Sequence, residues 1–233
     1  MNLFLKFFFL STLLGSSFSQ AQKKDYLVKK ITNEVLVTGY GTDSLWVHAI
    51  EMSDFSYPWR NETPSSTIFK ALWSDSFFYF LFIVEDSEVI SLQKGIGEKD
   101  LLNSDRVEIF FKPKEVTKPY YALEMDAMGR CLDTEGVFDK NVDFNWNWPV
   151  EHFILKASQT KKGYVVEGSI SFESLRLLGI YKDDKKLYTG LYRGEYYTLP
   201  SKKIDVKWIS WVKPDVKSFH TPSAFGVLKL IEH

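Results

Sequence analysis

The sequence has few residues that could form cross-links or metal centres. Cys131 is the single cysteine in 233 residues, so no disulfide can form within the chain. The four histidines are far apart and lack the spacing of metal ligands, and the calcium-loop pattern D-x-[DN]-x-[DN]-G does not occur. The sequence therefore places no cofactor and no metal ion.

Neither sign of charge is in excess. The chain has 29 lysines and arginines against 30 aspartates and glutamates, which gives a formal net charge of −1 at pH 7. Such a chain has no positive field to gather phosphate groups, so a polybasic nucleic-acid binder is excluded. Beyond the first residues, charged side chains interrupt every apolar stretch, and none reaches the length of a membrane span.

The motifs of common enzyme classes are missing as well. The sequence has no GxSxG, no HExxH and no glycine-rich phosphate loop. Carboxylates remain candidates for glycoside hydrolysis, because that reaction needs two carboxyl groups flanking one bond. The candidates are Asp105 with Glu108, Glu124 with Asp126, and Glu167. Most surface strands offer such pairs, so the sequence favours a protein without catalytic residues and leaves an enzyme open.

Residues 1–21 have the pattern of a secretory signal peptide. Lys6 precedes the apolar run Phe7–Leu14, and the small residues Ser19 and Ala21 follow it. The apolar run is too short to span a bilayer. We predict cleavage after Ala21, export to the periplasm or the extracellular space, and one mature domain over residues 22–233.

The mature chain shows the period-two hydrophobicity of β-strands. About ten β-rich segments alternate with turns rich in Gly, Pro, Asp and Asn, a pattern typical of an all-β sandwich or barrel. Phe77–Val84 is apolar on both faces and is predicted to be a central strand, and Val35–Val37 a short one. Ser171–Gly179 has a serine cap and a glycine stop, which predict one short helix. No linker divides the chain, so one domain is expected.

Aromatic residues are abundant, at 16% of the chain, and such a composition excludes disorder. A Trp or Tyr ring can lie on the apolar C–H face of a sugar while charged groups bind its hydroxyls. Asn145–Pro149 interleaves two Trp with two Asn in an expected loop. Trp208 and Trp211 are three residues apart, so one can fill the core while the other is free. Core packing explains any single Trp, but the set predicts at least one exposed ring.

A series of short motifs follows one another along nearly the whole mature chain. The pieces are Gly39–Trp46, Thr67–Asp75, Phe78–Asp86, Ser104–Phe111, Tyr120–Asp126, Gly163–Phe172, Gly190–Arg193, Trp208–Trp211 and Phe219–Leu228. They are similar, in the same order, to motifs such as the G-x-x-D-x-x-W element, the D-x-V-E-I-F strand and the G-Y-x-V-E strand of one family. The chain thus resembles the family 9 carbohydrate-binding modules, in particular the exported family-9-like sugar-binding proteins.

The resemblance implies an antiparallel jelly-roll sandwich that binds an oligosaccharide or polysaccharide without catalysis, beside polysaccharide-degrading enzymes. It implies that Glu108 accepts hydrogen bonds from sugar hydroxyls, and it allows a structural calcium ion with no residue assigned. Phe219 and Leu102 stand where the family has two clamping Trp residues. Other side chains would then have to complete the site, which we predict to be Glu108, Tyr192, Arg193, Trp211, Phe219 and His220.

Two other functions stay open at this point. One is a glycoside hydrolase such as an endoxylanase, using carboxylates such as Glu108 and Glu124. The other is a haem-binding sandwich, in which Met125 or Met128 with His220 or His152 would supply the axial ligands.

Overall fold

The computed structural model describes residues 24–93, 97–115, 118–138 and 140–232, and within these ranges the regular secondary structure is mostly β. The predicted signal peptide lies outside the described residues. There is one α-helix, α1 (Phe172–Leu177), besides short 3-10 turns at Ser44–His48, Gly97–Asn103, Val150–His152 and Pro222–Ala224. The strands are β1 (Asp25–Lys30), β2 (Thr67–Trp73), β3 (Phe77–Glu85), β4 (Arg106–Lys112), β5 (Tyr120–Asp126), β6 (Cys131–Gly136), β7 (Val142–Asp143), β8 (Phe153–Thr160), β9 (Gly163–Ser171), β10 (Lys186–Thr198), β11 (Ile204–Ser210) and β12 (Gly226–Ile231).

The strands form one curled sheet in the order β7-β6-β5-β4-β10-β12-β1-β2-β3-β9-β8, with β11 paired to β10. All neighbours are antiparallel except β1, which runs parallel to both β12 and β2. The sheet folds over so that its two halves enclose a shared core. Edge-to-face packing of Phe78 on β3 against Phe111 on β4, with ring centroids 6.1 Å apart, joins the two halves. The predicted all-β sandwich with one short helix is confirmed.

Side-chain alternation on β4 gives the sheet two different faces. Val107, Ile109 and Phe111 point into the core, and Arg106 and Glu108 point to the outer face. The outer face is also covered, because the chain before β12 packs its aromatic and small side chains over it. The resulting second cluster consists of Phe110, Tyr120, Ala122, Phe138, Tyr192, Phe219 and Ala224. The charged residues of the outer face are therefore buried rather than solvated.

Two local predictions have opposite outcomes. Helix α1 is confirmed: the Ser171 hydroxyl accepts a hydrogen bond from the Ser174 amide, and Gly179 adopts a φ of +69° just after the helix. The predicted strand Val35–Val37 is wrong, because the segment pairs with no strand in the described chain. Backbone amides in this segment and next to it bond to side chains instead: the Leu36 amide donates to Asp43 at 2.7 Å, and the Thr38 amide donates to Glu167 at 2.8 Å.

Candidate functional site

A pocket of about 450 Å³ opens on the outer face of the sheet half that contains β4 and β5. The strands supply its floor, with Arg106 and Glu108 from β4 and Glu124 from β5. Its walls come from three irregular segments, which lie before β2, before β4 and before β12, and from the loop around β7. The wall residues are Trp59, Leu102, Val142, Phe144, Lys217, Ser218, Phe219 and His220, with Trp208 from β11.

Three stacked rings form the aromatic wall of the pocket. Phe219 stacks on Trp59, with centroids 5.0 Å apart, and on Tyr192, with centroids 4.1 Å apart. Trp208 meets the same Phe219 ring edge-on at 5.5 Å. Both faces of Phe219 are thus covered, and Tyr192 is fully buried with its hydroxyl donating to the Ala224 carbonyl. The accessible rings of this wall are the half-buried Trp59 and Trp208.

One guanidinium group organises the polar floor. Arg106 Nε donates to Glu108 Oε1 at 2.8 Å and lies 2.8 Å from Glu124 Oε2. A terminal nitrogen of Arg106 donates to the Tyr196 hydroxyl at 2.7 Å. The guanidinium also lies 5.0 Å from the centre of the Trp208 ring, a cation–π distance. Arg106 therefore fixes the two carboxylates and the aromatic wall relative to one another.

Glu124, one of the two floor carboxylates, does not titrate like a surface group. Glu108 and Glu124 are directly opposite each other on β4 and β5, and both are buried. Burial and the negative charge of Glu108 raise the pKa of Glu124, and Arg106 only partly offsets them. On the rim, burial lowers the pKa of His220, against the opposing effect of Glu108. The floor thus presents hydrogen-bond donors and acceptors together, which suits the hydroxyl groups of a ligand.

The raised pKa of Glu124 predicts a pH dependence of stability. Between the ordinary pKa of a glutamate and the raised value, the folded protein holds a proton that the unfolded chain has released. The free energy of unfolding should then fall as pH rises, by at most about 1.4 kcal/mol per pH unit. Glu124→Gln should flatten this decline in urea unfolding measured from pH 5 to pH 8. Asp105, whose pKa burial also raises, is present in both proteins, so the difference between the profiles isolates Glu124. Parallel profiles would contradict the prediction.

The structure brings together three of the six residues predicted for the site. Glu108, Phe219 and His220 line the pocket, as does Leu102, and the His220 ring is hydrogen-bonded through Nδ1 to the Tyr120 hydroxyl at 2.6 Å. Tyr192 lies beneath the pocket and supports Phe219. The two remaining predicted residues are elsewhere.

Arg193 and Trp211 lie in the core and not in the pocket. Arg193 follows Tyr192 on β10 and therefore points to the opposite face, where it is fully buried and paired with Asp86 at 2.9 Å. Trp211 is also buried, in the core between the sheet halves. Trp208, on the other face, is the one that reaches the pocket. A site built on this pocket leaves out Arg193 and Trp211.

Sequence reasoning missed several residues of the pocket. Arg106 and Glu124 could have been found, since Arg106 is two positions from Glu108 on the same strand face and Glu124 was already a candidate carboxylate. Trp59 lies in an irregular segment, and no periodic signal marks it. The segment before β4 contributes Leu102 to the pocket, and the chain around β7 contributes Val142 and Phe144.

The other candidate residues are held in structural contacts. Met125 lies in the core, whereas His220 is on the outer face, and His152 is hydrogen-bonded to Ser171. Asp126 is paired with Arg130 on the same turn. Across the described ranges, no three His, Cys, Asp or Glu side chains are grouped as a metal site would require. Nor does any helix described there have the length and apolar character to cross a membrane.

Comparison with known proteins gives the family. The model of the family described as carbohydrate family 9 binding domain-like matches residues 37–233, so the chain belongs to that family. A search of curated protein sequences found no match.

Solved structures share the fold. A candidate carbohydrate-binding protein of Bacteroides uniformis ATCC 8492 is 17% identical, with a TM-score of 0.66 over 90% of this chain and 100% of that one. A family 9 carbohydrate-binding module of Caldicellulosiruptor kristjanssonii in complex with glucose is 19% identical, with a TM-score of 0.57 over 90% and 97% of the chains. A family 9 carbohydrate-binding module of Caldicellulosiruptor kristjanssonii in complex with cellotriose is 18% identical, with a TM-score of 0.57 over 90% of this chain and 95% of that one.

Proposed function

We propose that this chain binds a saccharide in the pocket beside Trp59 and Trp208, without catalysing its conversion. One observation carries the proposal: accessible indole rings and buried, hydrogen-bonding charged groups line the same pocket in a member of this family. The volume of about 450 Å³ is in the range of small-molecule sites and suits one or two sugar rings rather than a long chain.

The two parts of the pocket match the two kinds of surface on a sugar. The apolar C–H face of a pyranose ring can pack on Trp59 or Trp208, and its hydroxyls can reach Arg106, Glu108 and Glu124. Charged hydrogen-bonding groups held in a buried floor form stronger and more directional bonds than solvated ones. The solved relatives bound to glucose and to cellotriose support a glucose-type ring as the first ligand to test.

Binding to a panel of glycans tests the proposal. Isothermal calorimetry with glucose, cellotriose and xylotriose should give saturable binding to at least one of them. Trp59→Ala should weaken that binding about tenfold to hundredfold, because a stacking surface is lost and each tenfold step is about 1.4 kcal/mol. Tyr40→Ala is the matched control, since Tyr40 is an exposed aromatic residue that does not line the pocket. Silence across the panel, or equal affinity in the two variants, would overturn the proposal.

A glycoside hydrolase is the second candidate, because the pocket floor holds two carboxyl groups, of which Glu124 has a raised pKa. Hydrolysis needs carboxyl groups on both sides of the scissile bond, about 5 to 10 Å apart. Here both carboxylates contact the same nitrogen of Arg106 and lie side by side. This arrangement favours binding. Release of reducing sugar from xylan that disappears in Glu108→Gln and Glu124→Gln would establish the hydrolase instead.

We also propose that the protein is exported and serves polysaccharide breakdown beside degrading enzymes. The signal-peptide pattern of residues 1–21 supports export, and membership of a carbohydrate-binding family supports a role in holding the polysaccharide that such enzymes degrade. Mass spectrometry of the protein from the native host should show an N-terminus at Gln22. An intact N-terminus in the cytosolic fraction would contradict export.

A further inference from the structure

A second pocket adjoins the saccharide pocket. It has a volume of about 440 Å³ and lies between the segment Pro58–Asn61 and the segment Lys213–Lys217. The two pockets share Trp59 and Lys217, so they meet at the accessible indole ring of the first. A ligand that extends beyond the ring held on Trp59 would therefore enter the second pocket.

The second pocket is polar and carries an excess of positive charge. Arg60, Lys213 and Lys217 line it, against one carboxylate, Asp215. Arg60 faces Glu62 at 3.9 Å, but Lys213 and Lys217 make no ion pair within the described chain. The whole protein has a net charge of −1, so this local excess of cations is not the average of its surface. Unpaired lysines beside a ligand pocket are suited to an anionic group.

We propose that the natural ligand is an acidic glycan. A neutral ring lies in the first pocket, and the anionic group of the adjoining residue lies in the second, near Lys213 and Lys217. The anionic group is a carboxylate, as in a uronic acid, or a sulfate ester, since either is attracted by ammonium groups. This inference rests on the proposed saccharide binding at the first pocket and specifies the class of glycan that the site selects.

The electrostatic contribution to binding can be recognised by its dependence on salt concentration. Exposed ammonium groups contribute modestly to affinity, and salt screens them with a Debye length of about 10 Å at 0.1 M. Stacking on Trp59 and hydrogen bonding to the buried floor depend much less on salt. An acidic ligand should therefore lose affinity with salt, while a neutral ligand of the same backbone should not.

Three matched probes test the inference: xylotriose, xylotriose carrying a glucuronic acid residue, and xylotriose carrying a sulfate ester. Calorimetry is run at about 25 and 250 mM NaCl. At low salt at least one acidic probe should bind about five- to tenfold tighter than xylotriose, and most of the gain should be lost at high salt. The probe that shows the gain identifies the anionic group as carboxylate or sulfate.

Substitutions of Lys213 test whether the second pocket causes the preference for an acidic ligand. Lys213→Gln should remove most of the preference for the acidic probe, Lys213→Glu should reverse it, and both should keep the affinity for xylotriose. Lys161→Gln is the control, because Lys161 is an exposed lysine in the turn between β8 and β9. If all three probes bind equally, or the acidic preference survives Lys213→Glu, the inference is overturned while saccharide binding stands. If neither these probes nor the neutral panel bind, the proposed function itself fails.

Discussion

Glu167→Gln is expected to lower the free energy of unfolding by about 3 kcal/mol or more, without any contact to the pocket. The Glu167 carboxylate is fully buried and accepts hydrogen bonds from one loop. The Thr38 and Gly39 amides donate to Oε2 at 2.8 and 2.6 Å, and the Trp46 indole donates to Oε1 at 2.8 Å. A glutamine would remove the charge and turn an N–H₂ group toward donors, which leaves buried groups without partners.

Urea unfolding at pH 7 measures this loss, with Glu34→Gln as the matched control. Glu34 is exposed on the same stretch of chain, so its substitution should change stability by less than about 0.5 kcal/mol. Saccharide binding by the folded Glu167→Gln protein should be unchanged, because neither Glu167 nor any residue of that loop lines the pocket. A loss as small as that of the control would show that the loop does not depend on this carboxylate.

Glu167 also explains why separate motifs in the sequence belong together. In the sequence, Gly39–Trp46 and Gly163–Phe172 are two separate motifs that resemble the family. In the structure, the carboxylate of the second piece binds the amides and the indole of the first. Sequence patterns could predict each piece, but not the contact between residues about 120 positions apart. The predicted role of Glu167 as a candidate acid gives way to this structural one.

The period-two pattern correctly predicted on which side of the sheet a residue lies, but it did not predict which residues are buried. The spacing of Trp208 and Trp211 correctly placed them on opposite faces, and one of them does fill the core. Which one is free depends on what covers each face. The segment that ends at Pro222–Ala224 covers the outer face only in part and leaves Trp208 at the pocket. The alternation of apolar and polar residues in a strand does not indicate which other segment of the chain covers each face of the sheet.

Arg193 shows a second limit of sequence reasoning. A charged residue in a strand of alternating polarity is expected to face solvent or ligand. Here the core side of β10 holds a buried network in which Arg193 binds Asp86 at 2.9 Å and the Ser65 hydroxyl at 2.8 Å. Apart from Glu195 on β10 itself, its partners come from β2, β3 and their flanking chain, so no local pattern could reveal the whole network. Arg106 is the arginine that does line the pocket. It was not predicted, because within the D-x-V-E strand the family resemblance implied a role only for Glu108.

Arg106→Met is expected to give the second large effect, and the effect should depend on pH. Arg106 is 4% exposed, and its guanidinium is the cation that Glu108 and Glu124 share. Removing it leaves two buried carboxylates facing each other, which costs about 3–5 kcal/mol of stability at pH 8. Without the arginine, which lowers it, the pKa of Glu124 in the folded protein should rise further above that of the unfolded chain. The folded protein then binds more protons, so its stability should fall as pH rises and recover toward pH 5.

Urea unfolding of Arg106→Met at pH 5 and pH 8 measures this dependence. Arg176→Met, which removes an exposed arginine paired with Asp183, should cost less than about 1 kcal/mol at either pH. Adding Glu124→Gln to Arg106→Met should restore part of the stability at pH 8, because one of the two facing carboxylates is then neutral. A loss that is the same at both pH values, or no rescue by Glu124→Gln, would show that Arg106 acts through its packing on Trp208 rather than through its charge.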